Sequence, residues 1–88
     1  MKVVSDPTFT LLVRAYCHLC DEMRAALLPA AKRAGAAIVE IDVDADSALE
    51  AKFGDRVPVL LQGGVDGREL CHFKFDADRV ARSLAQGR

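Results

Sequence analysis

Two of the three cysteines stand in the run Cys17-His18-Leu19-Cys20. In a small chain such a C-x-x-C serves redox chemistry or metal binding. Redox chemistry needs a thiolate near neutral pH, and a free cysteine titrates near about 8.5. The segment before Cys17 reads as a buried strand and the segment after it as a helix. Cys17 would therefore sit where unpaired helix N–H groups and the positive dipole end stabilise an anion. That makes Cys17 the attacking nucleophile. Two intervening residues form one helical turn, so the Cys20 sulfur comes close and can resolve a mixed disulfide from the more buried side. His18, when protonated, would favour the thiolate and make the pair more oxidising. Its bland reading is a solvated loop residue. Leu19 is read as packing.

The same C-x-x-C is half of a zinc site. The remaining ligands would have to come from Cys71, His72 and His18. Adjacent Cys71 and His72 point to opposite faces of a strand and do not easily share one metal. Zinc ranks behind redox, and no metal ligand is assigned. Cys71 alone reads as a small, buried apolar side chain.

These groups must be positioned by a small protein. The chain has 88 residues, just over half of them apolar, which suits one domain over residues 1–88. Twelve basic residues against 13 acidic ones give a net charge of −1. Nucleic acid and anionic membranes fall in rank as partners, because both call for a basic excess. No apolar stretch is long enough to span a bilayer. The start, Met1 to Pro7, carries no secretory h-region. An odd cysteine count argues against a secreted disulfide framework. The expectation is a cytoplasmic protein, with a monomer as the default.

Periodicity and punctuation mark out the elements. Thr8 to Arg14 reads as a strand buried on both faces. Ala15 to Cys17 make a turn. A helix follows from about Leu19 to Arg33, with Met23, Leu27, Ala30, Ala31 and Ala34 on its apolar stripe. Pro29 should kink or split it, and Gly35 ends it. Ala37 to Val43 reads as an edge strand. Asp44 or Asp46 caps a short helix through Phe53, anchored by Leu49 and Phe53 and stopped by Gly54. Val57-Pro58 leads into a strand from Val59 to Gln62. The turn residues Gly63 to Gly67 return the chain as a hairpin through Arg68 to Phe73. Phe73 and Phe75 are expected in the core. Asp76 caps a last helix, with Val80 and Leu84 facing inward. The order β-α-β-α-β-β-α predicts an α/β protein, a mixed four-stranded sheet flanked by helices on both faces.

A strand, a C-x-x-C opening a helix, and Val57-Pro58 before the third strand resemble the thioredoxin-like fold. The chain resembles more closely a glutaredoxin-like family of small bacterial proteins. The resemblance rests on Cys17 to Asp21, Ile41-Asp42-Val43-Asp44, Phe53 to Leu60 and Asp66-Gly67-Arg68-Glu69-Leu70, in that order. It implies a thiol–disulfide oxidoreductase. It also implies that Pro58 is cis and faces the sulfurs, leaving the Val57 N–H and C=O free to pair with an extended substrate. Tyr16, directly before Cys17, either flanks the substrate groove or packs. Two family features do not carry over. Gly63-Gly64-Val65-Asp66 falls in the hairpin, not after the fourth strand, where Phe75-Asp76 stands without a glycine pair. The basic residue often found before the first cysteine is absent from that place, and Arg14 is the nearest. Asp42 and Asp44 are candidates for a charge near the site.

The expected activity is reduction or exchange of disulfides through Cys17 and Cys20, with Tyr16, His18, Val57 and Pro58 binding substrate. The partners would be a disulfide-containing protein or a glutathione mixed disulfide. Glutathione or a thioredoxin-reductase-type partner would supply electrons, with no tightly bound cofactor. Two other readings stay open. One is a non-catalytic binding module using the groove beside Pro58. The other is metal or iron–sulfur binding through Cys17.

Overall fold

The computed structural model describes residues 7–86. The expectation that Met1 to Pro7 carries no secretory h-region falls on residues of which Met1 to Asp6 lie outside those described. The elements are β1 (Thr8–Val13), α1 (His18–Ala34), β2 (Ala37–Asp42), α2 (Ser47–Phe53), β3 (Val59–Gln62), β4 (Arg68–His72) and α3 (Ala77–Gln86). The order matches the expected β-α-β-α-β-β-α. The sheet runs β2-β1-β3-β4, with β1 and β2 parallel and the other neighbours antiparallel.

Strand β1 holds the centre because both its faces are apolar. Phe9, Leu11 and Val13 pack with Met23, Leu27 and Ala31 of α1, Leu60 and Leu70 of the sheet, and Val80 of α3. Leu12 turns the other way, onto Val43, Phe53, Val59 and Leu61. Helices α1 and α3 thus cover one face and α2 the other. The hydroxyl of buried Thr10 is satisfied by donating to the Gly63 carbonyl at 2.6 Å.

Helix α1 departs from one expectation. It runs unbroken from His18 to Ala34 through Pro29, which neither splits it nor ends it. Pro29 lies on the exposed face, where water can satisfy the carbonyl that loses its N–H partner. Gly35 ends the helix as expected, in the left-handed region at φ 65°. Its N–H donates to Lys32 and that of Ala36 to Ala31, which satisfies the last carbonyls.

Two boundaries are corrected. Strand β2 stops at Asp42, and Val43 opens a short 3-10 turn through Ala45. The Asp42 carboxylate caps that turn, and Val43 drops fully into the core. Asp46 rather than Asp44 caps α2, accepting from the Ala48 and Leu49 amides. The second correction is Phe73. Strand period alone sends it inward with Cys71, but β4 ends at His72 and Phe73 takes a left-handed φ of 64°. Its ring is turned out and is 43% exposed. Phe75 packs partly against the α1–α3 core, as expected, and Asp76 caps α3.

At the β4 edge, Glu69 joins Arg56 at 3.1 Å and His72 Nδ1 at 2.7 Å. Burial alone would push the Glu69 carboxyl up. Its hydrogen bonds to His72 and Arg56 outweigh that and hold it below the ordinary carboxylate range. A depressed folded-state pKa adds stability that is present above the unfolded value and lost as pH falls through the folded one. Glu69→Gln should therefore cost about 1 kcal/mol at neutral pH, and the cost should shrink below about pH 4. Urea unfolding of both proteins across that range measures it. A cost that stays constant with pH would contradict the assignment.

Candidate functional site

The end of β1 feeds the site. After Val13 the chain turns through Ala15 and Tyr16, and Tyr16 adopts a left-handed φ of 58°. Cys17 is extended, at φ −119° and ψ 104°, and is the N-cap of α1. Its sulfur accepts the Cys20 backbone N–H at 3.0 Å, and its carbonyl accepts from Asp21 at 3.1 Å. A serine or aspartate oxygen usually makes the first of these bonds. Here a sulfur makes it, at the positive end of a 17-residue helix. The same contact would favour a thiolate over a thiol.

Cys17 and Cys20 form a disulfide, with their Cα atoms 5.2 Å apart. Cys17 is half-buried, while Cys20 is 1% exposed and belongs to the α1–α3 core. The apolar stripe of α1 explains the difference. Cys20, Met23, Leu27 and Ala31 share its inward face, so docking the helix buries the second cysteine and leaves the first at the rim. Asp21 pairs with Arg24 at 2.8 Å, and Arg24 also holds Glu40 of β2 at 2.6 Å. These bonds tie the first turns of α1 to the edge strand.

The other expected residues divide between two elements. Tyr16 and His18 are exposed and, with Cys17 and Asp21, line a shallow depression of about 230 Å³. Tyr16 makes no packing contact that hides its ring, which removes the packing reading. Val57 and Pro58 come to the same end of the sheet by register. Leu12 lies opposite Val59, so Pro58 lies one step beyond the paired segment, as Val13 does. The Val57–Pro58 bond is cis, as the resemblance implied. Pro58 is buried and Val57 half-buried. Among the described residues the Val57 N–H and C=O have no hydrogen-bond partner.

Phe73 was missing from the expected site. Its amide donates to the Pro58 carbonyl at 3.0 Å, and its ring meets the His72 ring edge-on at 4.9 Å. The sequence carries no signal for it, since Phe73-Lys74-Phe75 has no glycine to mark a left-handed turn. Arg14, Asp42 and Asp44 do not supply free charge. Arg14 bonds Asp44 at 3.0 Å, Glu50 at 3.3 Å and the Gly54 carbonyl, and Asp42 caps the 3-10 turn. Cys71 is free and half-buried, and burial pushes its thiol up. It packs against the same α1–α3 core as Cys20, and His72 is held by Glu69. Among the described residues no group of three or more His, Cys, Asp or Glu side chains gathers as a metal site.

Residues 8–85 match the family model described as Glutaredoxin-like domain (DUF836). The chain belongs to that family. The family's fold is shared by solved structures. A solution structure of protein Ne2328 from Nitrosomonas europaea is 32% identical, with a TM-score of 0.80, over 96% of this chain and 98% of that one. The X-ray structure of target protein XcR50 from X. campestris is 44% identical, with a TM-score of 0.66, over 88% of this chain and 95% of that one. A mutant thioredoxin from Halobacterium salinarum is 26% identical, with a TM-score of 0.62, over 90% of this chain and 72% of that one. The glutaredoxin-like chain therefore has the thioredoxin fold, and its Cys17–Cys20 pair is consistent with redox function.

Proposed function

We propose that the protein is a thiol–disulfide oxidoreductase that works through Cys17 and Cys20. The observation that carries this reading is the asymmetry of the pair. Cys17 is at the rim with its sulfur on a helix N–H, and Cys20 is buried behind it.

The Cys17 thiolate attacks one sulfur of a substrate disulfide. A Cys17–substrate disulfide forms, and the other substrate sulfur leaves as a thiolate. The Cys20 thiolate then attacks the Cys17 sulfur, which closes the internal disulfide and releases the second substrate thiol. The substrate gains two electrons and the enzyme loses two. A thiol donor, glutathione or the dithiol of a reductase, returns them. The substrate is a disulfide-containing protein or a glutathione mixed disulfide. The free N–H and C=O of Val57 offer an extended substrate a short stretch of strand pairing, with Tyr16 and His18 beside the attacking sulfur. The activity belongs in the cytoplasm, where a thiol pool can reset the pair.

A turnover assay with a small-molecule disulfide tests the reading, run separately with glutathione and with a thioredoxin-reductase system. Catalysis with either donor supports it. Failure with both, in protein whose Cys17–Cys20 bond has been shown to reduce, would remove the catalytic reading.

A further inference from the structure

The end of the sheet that carries the disulfide also carries two aromatic rings that the core does not use. Of the one tyrosine and four phenylalanines, Phe9 and Phe53 are buried and Phe75 packs partly against the α1–α3 core. Tyr16 is fully exposed, and the Phe73 ring is turned out. These same two are the non-glycine residues with a left-handed φ among the described residues. That conformation suits glycine and asparagine and strains a bulky side chain. At both positions the fold holds a ring outward against the preference of its own backbone. Residues held in this way cluster at ligand sites.

Their places in the sheet agree. Tyr16 follows β1 and Phe73 follows β4, and β3 lies between those two strands. Val57-Pro58 leads into β3, so the free N–H and C=O of Val57 lie between the two rings. The Phe73 amide is tied to the Pro58 carbonyl. Its ring is braced as well. Arg56 holds Glu69, Glu69 holds His72, and the His72 ring meets Phe73 edge-on. A ring already held in place loses little freedom when a ligand covers it.

We propose that Tyr16 and Phe73 select the substrate: a polypeptide disulfide, bound extended, whose cysteine is flanked by an apolar side chain, in preference to glutathione disulfide. This rests on the oxidoreductase reading and names the substrate class of that site. A chain paired with Val57 presents its side chains alternately, and an apolar one beside the cysteine would cover a ring. Charge argues against glutathione. That tripeptide has a carboxylate at each end, which calls for free cations. Arg14, Arg24 and Arg56 are each held by carboxylates of this chain. Lys74, next to Phe73, lines a separate groove with Cys71 and Arg79. The charged residue that lines the depression at Cys17 is acidic, Asp21. In the exchange the substrate disulfide gains two electrons from the Cys17–Cys20 dithiol and leaves as two thiols.

The test compares three symmetric disulfides as oxidants of the reduced whole chain. One is glutathione disulfide. The other two are capped peptides, alike except for serine or phenylalanine beside the cysteine. Initial rates of Cys17–Cys20 closure are read by alkylation and mass spectrometry. Each is divided by the rate at which the same disulfide oxidises dithiothreitol. The phenylalanine peptide should react about tenfold or more faster than the other two. Phe73→Asn and Tyr16→Asn remove the rings, and asparagine accepts the left-handed φ. Each should lower that preference by about threefold or more. A phenylalanine peptide that reacts no faster than either of the others would overturn this proposal and leave the oxidoreductase reading in place. So would a preference that either variant keeps in full. Closure with none of the three would remove the oxidoreductase reading, and this proposal with it.

Discussion

Cys17→Ser should reduce disulfide exchange to background without unfolding the protein. Serine at the N-cap keeps the bond from the Cys20 amide, since its hydroxyl accepts as the sulfur does. It cannot ionise near neutral pH, so the attacking group is gone. Cys20→Ser should behave differently. Cys17 would still attack, but the mixed disulfide would persist with nothing to resolve it. Mass spectrometry after exposure to a small disulfide should show one substrate half attached to Cys20→Ser and none attached at position 17 in Cys17→Ser. Both variants also lose the internal disulfide. Chain entropy for so short a loop assigns it roughly 2 kcal/mol, so Cys17→Ser should match the reduced parent in stability, not the oxidised one, while Cys20→Ser, which buries a hydroxyl in the apolar core, should fall below the reduced parent by about 1–3 kcal/mol. Equal activity in Cys17→Ser and the parent would defeat the assignment of roles.

The largest effect on stability is expected from Leu27→Ala. Leu27 is fully buried on α1, in the cluster that also holds Cys20, Leu11 and Leu60. Truncating such a side chain costs about 2–5 kcal/mol, because the lost contacts leave a cavity. A domain of this size is stable by only about 4–13 kcal/mol in total. The midpoint of thermal unfolding should fall by about 10 °C or more. Leu28, the next residue, is 53% exposed and provides the control. Leu28→Ala should change stability by about 0.5 kcal/mol or less. The helix that carries Leu27 also presents Cys17 at its N-terminus, so Leu27→Ala should lose activity on warming at the temperature where it unfolds. Equal losses in the two variants would mean that α1 is not docked as described.

The two cysteines and their division into rim and interior were legible because spacing and helix period decide them. One turn of helix brings Cys20 back toward Cys17, and the Met23–Leu27–Ala31 stripe fixes which way it points. The mixed four-stranded sheet followed from the element order, and the burial of β1 on both faces from its doubly apolar sequence. The cis bond before Pro58 came from the family resemblance and not from local chemistry. What stayed hidden depended on backbone torsion and on partners distant in sequence. Phe73 follows a strand whose register shifts at Leu70, so neither that shift nor its own left-handed φ and outward turn could be read from the pattern of residues. Asp44 resembled a cap or a free charge because its partner, Arg14, stands thirty positions away. Pro29 resembled a helix breaker because its exposed position on α1 depends on how the helix docks.

The central claim is a working dithiol, and a redox titration tests it most directly. The protein is equilibrated in glutathione buffers of graded ratio, trapped by alkylation, and its free thiols counted at Cys17, Cys20 and Cys71 by mass spectrometry. The account predicts that Cys17 and Cys20 gain and lose their bond together and reversibly. The midpoint should lie in the range of about −200 to −270 mV that glutaredoxins and thioredoxin span. Cys71, half-buried with its thiol pushed up, should remain unpaired throughout. A Cys17–Cys20 bond that never forms under these buffers, or forms only under harsh oxidation and does not reverse, would contradict the account.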